Sequence, residues 1–304
     1  MKKCIVVYNP VSGKEKNKEY LEDFYTVLKK NNYDFQIIYT KQKGDATNII
    51  ENLGNIDLVI VAGGDGTLSE AVRGNLVRKD RLLLGLLPLG TTNDVGKMLG
   101  YTKDYVKDLE LLLSGARQKY DVGYINNVPF VYVAALGSLT DVSYSTPRES
   151  KRRLGHLAYV LQVLKTINKK FKYFNLKYKV NGKTYQGKYS HIFITNTTNI
   201  GGKGRVYKDV KLDDHLFEVA ALKIDSKIDI IKALYYILTS KIEKIPKLEF
   251  YKTSNIEILF DEEQELNWCI DGEELNINTS KVKINVNSDN TMLVPTKNID
   301  KLFK

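Results

Sequence analysis

The stretch DLVIVAGGDGTLSEAV, Asp57–Val72, decides the first half of the chain. Leu58 to Ala62 is a near-continuous apolar run, the pattern of a strand covered on both faces. It enters Gly63, Gly64, Asp65, Gly66 and Thr67 without a spacer, and TLSEAVRGNL then reads as a helix. A simple turn needs far less. Glycines here allow close backbone approach and positive φ between strand and helix. The amides of such a turn, with the N-terminus of the helix, form a site for phosphate oxygens. Asp65 has the wrong charge for a phosphate ligand, so in this reading it faces a metal ion or a hydroxyl.

The same unit recurs on either side. CIVVY (Cys4–Tyr8), FQIIYT (Phe35–Thr40) and LLLGLLPLG (Leu82–Gly90) are further strands, each followed by polar, helix-compatible sequence. Repeated βα units build a parallel sheet, and such sheets bind ligands at the carboxyl ends of their strands. The polar motifs sit there: Asn9, Ser12 and Gly13 after the first strand, Thr40 after the second, and Thr91, Thr92 and Asn93 after the last. Asn93 or Asp94 is placed to cap the next helix. The third and fourth loops bring Asp65 and Asp94 to one crevice.

Near Tyr120 the rhythm changes. Tyr120–Leu136 reads as strands and LGHLAYVLQVLKTINKK, Leu154–Lys170, as one helix. Alternating runs follow, with Asn181-Gly182 as a hairpin signal and one further helix over Ile228–Thr239. The fold class is an α/β nucleotide-binding N-terminal domain followed by a mostly antiparallel β-rich domain.

The 304 residues are 43% hydrophobic and 27% charged, ordinary for a globular protein. No apolar run approaches a membrane span, and the opening KKCIVVYNPVSG is too short in its apolar part for a signal peptide. Cys4 and Cys269 read as free buried thiols in a reducing cytoplasm. The net charge of +10 suits nucleic acid, an anionic membrane or anionic substrates, or reflects a lysine-rich composition. The densest basic segment is RESKRRLGH, Arg148–His156. It borders the helix over Leu154–Lys170 and is a candidate membrane contact.

Taken in order, NPVSGK, VAGGDGTLSEAV, LPLGTTNDVGK, LDDHLFEVA and IDGEEL resemble the diacylglycerol kinase catalytic-domain family over most of the chain. The first domain is similar to those of NAD kinases and 6-phosphofructokinases. The resemblance implies ATP bound by Asn9, Pro10, Val11, Ser12, Gly13, Thr40, the loop Gly63, Gly64, Asp65, Gly66, Thr67, Leu68 and Ser69, and Thr91. It implies a water-linked Mg²⁺ network of Asp65, Asp94 and Asp121, and a catalytic base from Asp271 or Glu273. Asp214, with the backbone carbonyls of Lys211 and Leu216, would hold a second, structural Mg²⁺. There His215 stands where the family has glycine, and its β-carbon strains or reshapes that loop.

The expected division is a nucleotide-binding domain of residues 1–123 plus about 288–304, and a β-sandwich lipid-substrate domain of 124–287. The implied activity is ATP- and Mg²⁺-dependent phosphorylation of a lipid hydroxyl, diacylglycerol to phosphatidic acid. The implied location is the cytoplasm, peripheral at the inner, anionic face of the membrane, with a homodimer and no nucleic-acid partner. Another lipid acceptor, an NAD kinase, and a non-catalytic membrane-binding regulator are the alternatives. NPVSG and DGE favour the lipid-kinase reading over the second, and intact acidic residues favour it over the third.

Overall fold

The computed structural model describes residues 1–13, 21–137, 172–199, 206–207 and 209–304. Arg148–His156 and the helix read over Leu154–Lys170 lie outside them. The chain divides into two units, Met1–Tyr120 with Ser288–Lys304, and Asp121–Asn287.

In the first unit β1 (Lys2–Tyr8), β2 (Tyr33–Tyr39), β3 (Leu58–Gly63) and β4 (Leu84–Pro88) are parallel, in the order β4-β3-β1-β2. All residues of β3 and β4 are buried, as their unbroken apolar runs require. Between them run α1 (Leu21–Lys30), α2 (Asp45–Asn52) and α3 (Asp65–Leu76), and beyond β4 come α4 (Asp94–Leu99) and α5 (Tyr105–Leu113). The reading of sequence passed over α5, which Asp104 caps by accepting the Lys107 amide. Cys4 is buried on β1, and burial pushes its thiol up to about 12.

Gly74 shows how closely α2 and α3 pack. A β-carbon there would lie 2.3 Å from the Thr47 carbonyl oxygen, a backbone atom that cannot swing away. Thr47 also donates its hydroxyl to the Glu70 carbonyl at 2.9 Å. Gly74→Ala improves helix propensity but forces the helices apart. Overpacking costs roughly 1–3 kcal/mol, so a lowered denaturation midpoint is expected, and an unchanged or raised one would contradict this packing.

The second unit carries β5 (Ala116–Ile125, from Asp121 onward), β6 (Val128–Phe130), β7 (Val133–Gly137), β8 (Phe174–Val180), β9 (Lys183–Tyr189), β10 (His191–Thr195), β11 (Phe217–Leu222), β12 (Leu248–Thr253), β13 (Asn255–Ile270) and the start of β14 (Glu273–Val294). The described pairings within it are antiparallel. β13 pairs β8 through Glu257–Phe260 and β7 through Trp268–Ile270, with a register shift between Leu259 and Gln264. One strand thus pairs with both β7 and β8, and Trp268, Phe217, Tyr178 and Ile258 belong to one buried core. Asn181 and Gly182 form the expected two-residue hairpin, both at positive φ. The helix read over Ile228–Thr239 is α6, Lys227–Leu238. The last helix, α7 (Ile299–Leu302), belongs to the first unit, where Asn298 donates to the Met98 carbonyl at 2.9 Å.

Candidate active site

The carboxyl ends of β1, β2, β3 and β4 lie along one edge of the first unit's sheet. Backbone bonds tie them together: Thr40 N–H to Tyr8 O at 2.9 Å, Asn9 N–H to Ala62 O at 2.9 Å, and Leu89 N–H to Gly63 O at 2.8 Å. Strand order reverses between β1 and β3, and that is where open α/β sheets hold ligands. Asn9 bridges this point, its side-chain amide donating to Thr67 Oγ1 at 2.9 Å. Its Oδ1 accepts the Val11 amide at 3.1 Å, which fixes the start of the Pro10–Gly13 loop.

The glycines of the opening motif have different reasons. A β-carbon on Gly63 would strike the Thr67 side chain at 2.6 Å, and one on Gly90 would lie 2.7 Å from the Gly64 Cα, so Gly63 and Gly90 make room for their neighbours. Gly66 does not. It is exposed in the first turn of α3, has ordinary φ, and a β-carbon on it would meet nothing within 4 Å. Glycine in a helix costs roughly 1 kcal/mol relative to alanine, and no protein contact here explains it. A bare backbone among the unsatisfied amides of a helix start suits an anionic group in close approach.

Asp65, the acid inside the glycine turn, has backbone partners. Its Oδ2 accepts the Asp94 amide at 2.8 Å and its Oδ1 the Val95 amide at 3.1 Å. The carboxylate therefore caps α4, at the helix end whose partial charge favours an anion. This corrects the expectation that Asn93 or Asp94 caps α4. Asn93 makes no side-chain cap bond, and its amide turns back to Pro88 O at 3.1 Å and Gly90 O at 2.7 Å. Asp65 and Asp94 do come together, Asp94 being buried beside this contact. Thr40 and Ser69 are also buried, whereas Thr91 is exposed.

In the second unit Asp271 and Glu273 share one hairpin. Asp271 and Gly272, at φ 51° and 86°, form the two-residue turn, and Ile270 pairs with Glu273 across it. Asp271 is 4% exposed. Its carboxylate accepts the amides of Val131, Tyr132 and Val133 at 2.7, 3.0 and 3.1 Å. Three amide donors bind it to the Val131–Val133 backbone, so it orders the segment before β7. Glu273 is half-buried at the head of β14, directly across the turn.

Asp121 is buried in the same unit and fastens the DDHL loop. Its Oδ2 accepts the His215 amide at 2.7 Å, its own amide donates to Leu212 O at 2.7 Å, and its carbonyl accepts from Asn196 at 2.8 Å. His215 keeps the left-handed turn with φ 61°, a region in which histidine is among the more tolerated side chains. Asp214 Oδ1 accepts the Leu216 amide at 3.0 Å. Among the described residues no three His, Cys, Asp or Glu side chains are placed to hold a metal ion. Any cation here would rely on carbonyls, water or phosphate oxygens beside one or two carboxylates, which is the habit of Mg²⁺.

Sequence reasoning missed Glu218. It is a buried carboxylate on β11, paired across strands with Thr195 and Lys252. The Lys252 ammonium lies 3.5 Å from one oxygen, and the other is buried with no hydrogen-bond partner among the described residues. Burial pushes this carboxyl up to about 8, Lys252 opposing and Asp214 adding to the rise. The signal was legible: one charge inside the otherwise apolar strand FEVAAL.

A glycine-lined, amide-rich strand-to-helix turn at the switch point of a parallel sheet, with a separate β unit bearing acidic residues, defines a phosphoryl-transfer class of protein. Residues 3–125 match the diacylglycerol kinase catalytic domain, and residues 140–288 match the YegS C-terminal NAD kinase β-sandwich-like domain. The diacylglycerol kinases of Staphylococcus aureus strains MRSA252 and bovine RF122 / ET3-1 are each 33% identical over 274 residues, covering 90% of this chain and 86% of theirs. A solved structure from Bacillus anthracis str. Sterne, described as a candidate diacylglycerol kinase, is 25% identical with a TM-score of 0.82, covering 97% of this chain and 96% of that one. A second structure from that strain, of a diacylglycerol kinase, has a TM-score of 0.75 at 22% identity over 97% of both chains and shows the shared fold. The chain belongs to the diacylglycerol kinase family, and is a kinase.

Proposed function

We propose that this kinase transfers the γ-phosphoryl group of ATP to a lipid hydroxyl, diacylglycerol foremost, yielding phosphatidic acid. The observation that carries the nucleotide half is exposed Gly66, a helix-start glycine that no protein contact requires. The lipid half rests on the relatives' names and on the hairpin carboxylate Glu273. The ATP phosphates lie over Gly63–Ser69, with Asn9 and Thr67 bracing the loop. Glu273 takes the proton of the lipid hydroxyl as its oxygen attacks the γ-phosphorus and the bond to the leaving ADP oxygen breaks. Asp271 holds the turn from which Glu273 projects. Mg²⁺, when bound, would neutralise phosphate charge, and Asp65 and Asp94 supply hard oxygens suited to it. A second Mg²⁺ would be held by Asp214 with the carbonyls of Lys211 and Leu216. Use of ATP and a lipid places the reaction in the cytoplasm, at the inner membrane face. No described helix is long and apolar enough to cross a membrane.

Labelled ATP offered with diacylglycerol, sphingosine, phosphatidylglycerol or NAD, with products separated by thin-layer chromatography, tests this. Label is expected in phosphatidic acid. Label in phosphorylated NAD alone, or in no product, would overturn the reading.

Gly66→Ala separates ligand from fold. The new methyl enters open space in a helix, so stability should rise by roughly 0.5–1 kcal/mol. The same methyl stands where a phosphate would press on the backbone, so ATP affinity should fall. A variant binding ATP as the wild type does would remove Gly66 from the site.

A further inference from the structure

We propose that α6 is a membrane-docking helix that lies in the headgroup region of an anionic bilayer. This rests on the lipid-kinase reading for its occupant but on a different surface for its argument. The helix KIDIIKALYYIL is apolar on two faces. One face is buried: Ile230 and Ala233 join a cluster with Leu222, Ile224 and Ile245, which anchors the helix to its unit. The opposite face is exposed and still apolar. Ile228, Ile231 and Tyr235 are 62%, 54% and 58% exposed, and Leu238 continues the row. Spacings of three, four and three residues put these side chains on one stripe. An exposed apolar stripe of this kind marks an interaction site.

Charge chooses the occupant. Helical periodicity sets Lys227 on one flank of the stripe and Lys232 on the other, and exposed Lys241 and Lys244 follow its C-terminal end. The acids of the segment are partly engaged within it. Asp225 pairs with Lys247, and Asp229 accepts the Asp225 amide while its own amide bonds Ser226 Oγ, closing the helix start. An apolar row with lysine flanks and a tyrosine within it is the composition of an interfacial helix. A second copy of the chain would bring the same basic rim against itself, whereas an anionic leaflet supplies the countercharge. At 12 residues the helix is about 18 Å long, too short to span a bilayer core of about 30 Å. The basic segment Arg148–His156 is not needed for this surface.

The test is sedimentation of the whole protein with vesicles of phosphatidylcholine and phosphatidylglycerol in equal parts, and with phosphatidylcholine alone. Wild type should bind the mixed vesicles, less as salt is added, and the neutral ones weakly. Ile231→Ser with Tyr235→Ser should weaken partition at least about tenfold, equivalent to about 1.4 kcal/mol, with unchanged thermal melting because both side chains are exposed. Lys232→Glu with Lys241→Glu and Lys244→Glu should abolish the preference for phosphatidylglycerol. This second variant keeps the test open should the first fail to fold. Wild-type binding by either folded variant overturns the proposal. So does light scattering that shows a wild-type dimer dissociated by the serine variant, since the stripe would then join two copies. Transfer to diacylglycerol dispersed in detergent micelles should be equal in wild type and variants, and a loss there with normal melting would also count against docking. If wild type transfers nothing to diacylglycerol in micelles yet sediments as described, the lipid-kinase reading fails and the docking surface stands.

Discussion

Glu273→Gln is expected to lower turnover by about 10²–10⁴-fold, the usual loss when a general base is removed. The substitution keeps size and hydrogen-bonding capacity at a half-buried position on the first residue of β14. The protein should therefore melt as wild type does and bind ATP with unchanged affinity, because the proposed phosphate site is built from the first unit's loops. A loss in kcat with an unaltered KM for ATP is the signature of a group acting on the acceptor hydroxyl. Wild-type turnover at saturating lipid would remove Glu273 from the chemistry and reopen the role for Asp271.

Asp271→Asn is expected to fail in the other way, through stability. The residue sits at φ 51°, which asparagine adopts as readily as aspartate, so the turn itself is not at stake. The carboxylate is. It accepts three backbone amides of Val131–Val133. Asparagine keeps one acceptor oxygen and turns an N–H₂ toward the remaining amides, leaving buried donors unsatisfied. Hydrogen bonds to a charged group contribute about 1.5–3 kcal/mol each, so a loss of roughly 2–4 kcal/mol is expected against a total of about 5–15 kcal/mol for a folded domain. Denaturant unfolding reads this directly. A wild-type midpoint with reduced turnover would mean that Asp271, and not Glu273, meets the substrate. The two variants thus separate residues that their shared DGE motif leaves equal.

Much of the architecture was legible because it is written in short periods. Unbroken apolar runs such as LVIVA predict buried parallel strands, and β3 is buried throughout. Asn181-Gly182 predicts a two-residue hairpin, since both residues tolerate positive φ, and the strands pair around it. The helix over Ile228–Thr239 follows from local composition and appears within a residue of those bounds as Lys227–Leu238. The glycine turn between β3 and α3 was legible too, because a strand running into glycines and then a helix is a local event.

What the tertiary structure alone decided is which distant group each polar side chain meets. The oxygens of Asp65 cap a helix that begins 29 residues later, a partner its own loop does not announce. The carboxylate of Asp271 meets amides 140 to 138 residues away, which its DGE motif does not announce. His215 looked like a liability, and its amide is held by Asp121, 94 residues back. Nor does the sequence of α6 say which of its two apolar faces the core takes. The physical reason is the same in each case. Backbone periodicity and turn propensity act over a few residues, so the chain itself dictates strands, helices and hairpins. A buried carboxylate is satisfied by whichever amides the packed fold delivers to it, and that pairing exists only once the elements have come together.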